Sequence, residues 1–444
     1  QSGHLGVANT RALELAEVTA ESPNPPGGVF RREADGNQPN GVMEEYAFFY
    51  LLSKLAANFD QQINESLVIE GARLATSFGY TTLQEGRSNQ EAVNAMRQVA
   101  ANGGLKVDLV TYPDVLLVED VAPSLNYSGR FRVGGVKLTI DGSPQGKTAF
   151  LSEPYFIVPE GQPQDYRGYA AIDDETVVNA IDKAYANGWQ ILTHANGDAA
   201  IDMLIEAVRK ARAKYPDADV RPVLIHGQTV RKDQVAALDE LGIFPSLFPM
   251  HTFYWGDWHR ESVLGPERAD NISPTGWVLE RGMMFGSHTD APVALPDSMR
   301  VLSSTVTRRS RTGDILGAIH RVTVEDGLKA LSLWPAWQHF EEDRKGSITA
   351  GKLADFAVLS DNPMTVPEND IAAIRVLRTI KEDEVVYSRP AEQVATVSSA
   401  LFGVVPVAHS AAPIPGVQDI HGDGCFNRGL SVLYTALTNG DRRT

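Results

Sequence analysis

The chain contains a single cysteine, Cys425, among its 444 residues. One thiol excludes an intrachain disulfide framework and a cysteine-based zinc knuckle. It leaves the compartment open, because a reducing cytoplasm and a disulfide-free exported protein both accommodate it; the cytoplasm is the favoured expectation. No uninterrupted apolar stretch approaches the roughly 20 residues that a spanning helix needs, so no membrane partner is expected. Positive charge is also short. Forty Lys and Arg against 56 Asp and Glu give a net charge of -16, which argues against a protein that tracks nucleic-acid phosphates. There is no internal repeat at a solenoid period and no long low-complexity block. What remains is a chain that is 43% hydrophobic. It is long enough for one large domain and a smaller one, since single cores stop growing at roughly 250 to 300 residues.

Patterning divides the chain. Residues 1 to about 45 are rich in Gly, Pro, Asn and Asp and read as loop after a short helix from Asn9 to Ala16, a capping insert rather than a core. Helical spacing over Gly41–Phe78 leads into a strand at residues 79–84. Helices and strands then alternate, with strands near residues 80, 108, 137, 191, 224, 245 and 285. Such alternation indicates βαβ units and a parallel sheet, and residues 46–345 are expected to form a barrel. Seven strands are found where a closed parallel barrel uses eight. Residues 346–390 turn to short alternating stretches, including Ser347–Ile348 and 374–380, and read as a small β module. The tail, 391–444, has a helical apolar face over Asn427–Leu437 and no assignable role.

Four strand ends carry the chemistry. Lys137, His194, His226 and Asp290 each follow an apolar run and stand at or just before a small-residue turn, the position from which parallel barrels build their sites. Imidazoles with carboxylates form a donor set for zinc and related ions. Asp290 is placed both to bind a metal and to take a proton from water; its alternative is a turn residue before Ala291–Pro292. Asp198 reads as a helix N-cap. Lys137 lies inside Val-Lys-Leu-Thr-Ile, where burial would favour a neutral amine able to add carbon dioxide as a carbamate; the competing reading is an ion pair with Asp141. The aromatic run from Phe248 to His259 reads as a loop at the catalytic face, with His251 polarising a carbonyl and Tyr254 and Trp255 as a substrate wall. Glu85 is a further substrate-side candidate, and His288, two residues before Asp290, shares its strand face.

In combination, Lys137 in Val-Lys-Leu-Thr-Ile-Asp-Gly-Ser, His194 in His-Ala-Asn-Gly-Asp, His226 in Ile-His-Gly-Gln and Asp290 in Ser-His-Thr-Asp-Ala-Pro resemble the metal-dependent amidohydrolase superfamily, in particular the branch with N-substituted formamide deformylases. Ser2-Gly3-His4, Pro25-Pro26-Gly27-Gly28 and Asp35-Gly36 resemble that branch's insert, and Lys345 to Leu359 its returning β-sandwich segment. The resemblance implies a TIM-like (β/α)8 metallohydrolase barrel with a β-sandwich module. It also implies a carboxylated bridging Lys137, His194 and His226 on one metal, and Asp290 on the other. His4, Glu85, Tyr254, Trp255 and His288 would then contact the substrate, a small-molecule amide. The implied cofactor is a divalent ion, zinc above all, singly or as a pair, with carbon dioxide held as the lysine carbamate.

The superfamily's first strand carries a His-x-His pair, and no two of the ten histidines here are two apart. With seven strands and a start at Gln1 lacking an initiator Met, this leads to the expectation of an additional N-terminal segment or chain. Its length would be on the order of 100 to 200 residues by analogy with barrel sizes. A homo-oligomer is compatible with the composition. The rival functions are a one-metal deaminase or lactone hydrolase on the same scaffold, and a catalytically inactive binding or regulatory relative.

Overall fold

The computed structural model describes residues 3–34, 36–56, 60–119 and 121–390. Ser2, Asp35 and the tail from residue 391, with its expected helix over Asn427–Leu437, lie outside the described residues.

The first 45 residues are more ordered than their turn-rich composition indicates. β1 (Leu5–Val7), β2 (Gly28–Arg32) and β3 (Pro39–Glu45) form an antiparallel sheet in the order β1-β3-β2. Phe30 lies opposite Met43, and both are buried with Ala16 and Leu51 from the adjoining helical segments α1 (Thr10–Leu15) and α2 (Tyr46–Ala56). The expectation of a coreless loop fails here because the strands are short and separated by Gly and Pro, which hides their alternation.

After α3 (Gln61–Thr76), the barrel elements follow one another. They are β4 (Thr82–Ser88), α4 (Gln90–Ala101), β5 (Asp108–Pro113), β6 (Phe131–Val133), β7 (Gly135–Thr139), α5 (Asp174–Ala186), β8 (Gln190–Ala195), α6 (Asp198–Lys214), β9 (Val223–His226), α7 (Lys232–Glu240), β10 (Phe244–Leu247), α8 (Met250–Trp258) and β11 (Gly286–Ser287). Two parallel sheets result, β4-β5-β6 and β7-β8-β9-β10-β11. β6 and β7 are one strand bent at Gly134, and an Asp114–Lys137 bridge ties β5 to β7. The fold is therefore a TIM-like barrel with seven strand positions. Among the described residues, β4 and β11 do not pair with each other.

Alternation sorts the side chains. Ile191 and Ala195 of β8 point outward and pack with Ile181 of α5 and Ile201, Leu204 and Val208 of α6. Leu192 points inward and fills the barrel floor with Val110, Tyr112, Val223, Ile225 and Phe244. Each large apolar side chain so buried is worth about 1.5–3 kcal/mol, which leaves the polar groups at the strand C-termini on a rigid platform.

Within the region read as a small β module, β12 (Phe356–Leu359), β13 (Val376–Lys381) and β14 (Glu384–Ser388) form one three-stranded antiparallel sheet among the described residues, and Ser347–Ile348 is not a strand. It is docked beneath the barrel by ion pairs. Lys381 Nζ lies 2.7 Å from Asp108 and 2.8 Å from Asp355, while Lys345 Nζ lies 2.7 Å from Asp108 and 2.9 Å from Glu341.

Candidate metal centre

Strand register brings the candidate groups to one rim. Thr139 of β7 pairs with His194 of β8, Ala195 with His226 of β9, and His226 with Leu247 of β10. Two of the rim residues have unusual backbones. His226 and Asp290 sit at φ 73° and 52°, a left-handed conformation that costs a non-glycine residue on the order of 1–3 kcal/mol and is concentrated at functional sites. Close packing below the rim depends on glycine. A Cβ on Gly197 would lie 1.9 Å from Phe150 O, and one on Gly142 would lie 2.1 Å from Glu45 Oε1.

His226, His288 and Asp290 offer donor atoms that all lie within 4.8 Å of one another. His226 Nδ1 and His288 Nε2 are 3.0 Å apart. Two nitrogens on a tetrahedral zinc, each at about 2.0–2.1 Å, would be roughly 3.3 Å apart, so the pair is set close to the spacing of two ligands on one ion. Ser246 Oγ, 3.0 Å from His288 Nδ1, orients the ring from behind. His194 stands one ring further out, its centroid 4.6 Å from that of His226, and His4 follows 4.8 Å beyond. His194 Nε2 is 3.1 Å from Gly142 O. The donor group thus unites two of the four residues singled out from the strand ends with His288; Lys137 and His194 lie outside it.

Electrostatics favours ligand forms. Burial pushes His288 down to about 3, and burial followed by neighbouring positive groups holds His194 and His226 well below the ordinary imidazole range. Neutral imidazole is the form that binds metal. Burial raises the Asp290 carboxyl, with His4 and Lys137 opposing. Burial also brings Lys137 down to about 8, Asp290 opposing. The ion pair between Lys137 and Asp141 does not form: among the described residues Lys137 makes no salt bridge. Asp141 instead accepts the backbone N–H groups of Phe150, Asn196 and Gly197 at 2.9, 2.9 and 2.8 Å. Asp198 is not the N-cap of α6, a position held by Gly197, but its first residue, and its carboxylate accepts from Ser152 N at 2.8 Å and Arg231 at 3.0 Å.

The remaining candidates surround this group. Glu85 accepts from Thr111 at 2.9 Å and from Arg87 N at 3.0 Å, and burial raises its carboxyl. His251, Tyr254 and Trp255 lie on α8, a helix rather than the expected loop. Aromatic residues all round leave this segment without an apolar stripe, so periodicity could not reveal it. Trp255 lies 5.7 Å from the His251 ring, which is 6.2 Å from that of His226.

Three side chains escaped the sequence reading. Glu45, at φ 51°, is buried and bonded to His4 Nδ1 at 2.6 Å and Thr148 Oγ1 at 2.6 Å. The acidic pair Glu44–Glu45 between apolar residues was its one signal. His259 meets Gln228 at 2.8 Å behind His251, and Ser246 lies under His288.

The Amidohydrolase family model matches residues 1–387. The chain belongs to the amidohydrolase family. This amidohydrolase is therefore a hydrolase, and it is 24% identical over 401 residues to the putative amidohydrolase YtcJ of Bacillus subtilis, spanning 87% of this chain and 73% of that one. It is 23% identical to an N-substituted formamide deformylase of Arthrobacter pascens, over 87% of this chain and 72% of the other. Among solved structures, an uncharacterized metal-dependent hydrolase from Pyrococcus horikoshii superposes with a TM-score of 0.67 at 20% identity, covering 82% of this chain and 71% of that one. At that identity the likeness concerns the fold.

Proposed function

We propose that this amidohydrolase cleaves the C–N bond of a small-molecule amide, of the N-acyl or N-formyl amine type, with zinc as the ion. The observation that carries the reading is the donor group of His226, His288 and Asp290 beside a buried, unpaired Lys137. Two neutral imidazoles and a carboxylate fit a divalent ion, and such an ion supplies water activation and carbonyl polarisation when bound. Lys137 deepens the fit. Its amine nitrogen, part neutral near pH 8, bonds the carbon of carbon dioxide and releases one proton, giving a carbamate whose two oxygens can serve a second ion alongside His194. A further strand, from another segment or chain, is part of this reading, since among the described residues β4 and β11 each have an unpaired edge.

Asp290 accepts the proton of the attacking water and returns it to the leaving nitrogen. His251 is held neutral by burial, with neighbouring imidazoles adding to the effect. It donates to the carbonyl oxygen, with Tyr254 and Trp255 forming the wall beside it. His4, braced by Glu45, stands beside His194 on the substrate side in this reading.

The test is Asp290→Asn assayed on a panel of N-formyl and N-acyl amines, with metal content measured in parallel. Expected is a fall in turnover of about 100- to 10,000-fold with the fold intact. Near wild-type turnover would overturn the proton route. Only the three-donor set is complete among the described residues, which favours a second reading, a one-ion hydrolase acting on the same bond. One ion per chain with an unmodified Lys137 would select it.

A further inference from the structure

The helix Ser298–Thr307 lines a groove of about 400 Å³ that contains none of the metal-donor residues. Arg300, Ser303 and Thr307 fall on one helical face at i, i+3 and i+7, Phe253 of α8 closes one side, and Arg309 and Asn369 close the other. This chain is strongly acidic, yet among the described residues neither arginine forms an ion pair. Arg309 spends Nε on Asn369 Oδ1 at 2.8 Å and Nη1 on Gly313 O at 2.6 Å. Its other terminal nitrogen is left uncommitted. The Arg300 guanidinium lies over the Phe253 ring, 4.5 Å from its centroid, and makes no hydrogen bond to a described residue, while its backbone N–H caps on Asp297. The Ser303 hydroxyl is likewise without a partner among the described residues.

Two half-buried guanidinium groups without carboxylates keep donors open to a ligand in one groove. Planar donor forks match phosphate oxygens two at a time, and hydroxyl and amide donors between them suit the third. The groove is in the size range of small-ligand pockets and several times larger than a bare tetrahedral anion. From this arrangement we infer that the groove binds an organic phosphate monoester, its phosphate between Arg300 and Arg309 and its organic body against Phe253. None of its lining residues belongs to the donor group, and the inference does not depend on the proposed reaction.

The experiment is calorimetric titration of the full chain with phenyl phosphate, inorganic phosphate and benzoate. Expected is saturable binding of phenyl phosphate, weaker binding of inorganic phosphate, and none of benzoate. Arg300→Gln and Arg309→Gln should each weaken phenyl phosphate about tenfold, and Arg300→Lys should do so less, since it keeps the charge but loses the fork. Arg321→Gln, which removes an arginine already paired with Glu368, should leave binding unchanged. Circular dichroism of each variant checks folding, and the Lys variant serves if the Gln variant does not fold. Phosphate binding that is insensitive to both arginines marks capture elsewhere, for example at the metal centre, and overturns the assignment. So does equal affinity for benzoate, or the absence of saturable binding.

Discussion

The two ends of the barrel bury lysine in opposite ways. At the floor, Lys381 is fully buried yet kept charged: burial alone would lower it, but Asp108 and Asp355 at 2.7 and 2.8 Å raise it above the ordinary range. At the rim, Lys137 is buried without an ion pair and falls to about 8. The residue type is the same and the burial comparable. The partner decides whether the amine is a structural cation or a reactive base. The floor is built for stability, and the rim leaves its charges to be completed by something that binds.

Removing the cation from each end should separate them most sharply. Lys381→Met leaves two carboxylates facing each other in the docking interface, with Lys345 at 2.7 Å and the more distant Arg130 at 3.4 Å remaining on Asp108. Breaking a buried pair costs about 3–5 kcal/mol, and urea unfolding of the variant should show a loss of that size. A loss under about 1 kcal/mol would mean that the floor network is not what docks the sheet.

Acid should attack the two ends in a definite order. Burial holds His259 and His288 near 3 when folded, while unfolded imidazoles titrate at about 6.5. Between those values the unfolded state binds more protons, so stability falls as pH drops below about 6.5, by about 2 kcal/mol per imidazole at pH 5. Asp108 has the same sign in a lower window. Burial opposes its charge, but Lys345 and Lys381 bring it below the ordinary carboxylate range, so its contribution is retained until pH falls below about 3.8. Hydrogen exchange on chelator-treated protein should therefore show the strand C-termini loosening between pH 7 and 5 while β13 remains protected. Simultaneous loss of protection at both ends would contradict this.

Ser246→Ala tests the support of the rim rather than its ligands. It removes the hydroxyl 3.0 Å from His288 Nδ1, and loss of such an orienting partner typically costs 10- to 100-fold in metal affinity. Competition with a chromogenic chelator should show a weakening of about tenfold with little change in unfolding free energy. Unchanged affinity would place His288 outside the ligand set.

Much of this division was legible in the amino-acid sequence. Apolar runs ending near His194, His226 and Asp290, with Lys137 inside a fourth, marked the rim strands, because alternation and strand length are local properties. His288 was seen on the correct face, but whether it turns to metal or substrate depends on the 3.0 Å approach of His226, a contact across 62 residues that no local pattern encodes. Glu45 was hidden for the same reason, since its partners His4 and Thr148 are distant in sequence. The floor network was missed altogether: Asp108, Lys345 and Lys381 meet only through the docking of a separate sheet. α8 was misread as loop because a helix with aromatics on every side has no stripe to detect.

The smallest predicted effect is the most diagnostic. Lys137→Met replaces an unpaired buried amine with an apolar side chain of similar length. The wild-type residue carries the desolvation cost of its charged form with no salt bridge to offset it, so its removal relieves a penalty instead of exposing one. Asp290 does lose one of the two positive neighbours that oppose the effect of its burial, with His4 remaining. Unfolding free energy of metal-free Lys137→Met should therefore lie within about 1 kcal/mol of wild type, in contrast to Lys381→Met, while its metal content falls. If Lys137→Met destabilised the metal-free protein as severely as Lys381→Met, the rim lysine would be a structural cation like its counterpart at the floor, and its place in the metal centre would have to be abandoned.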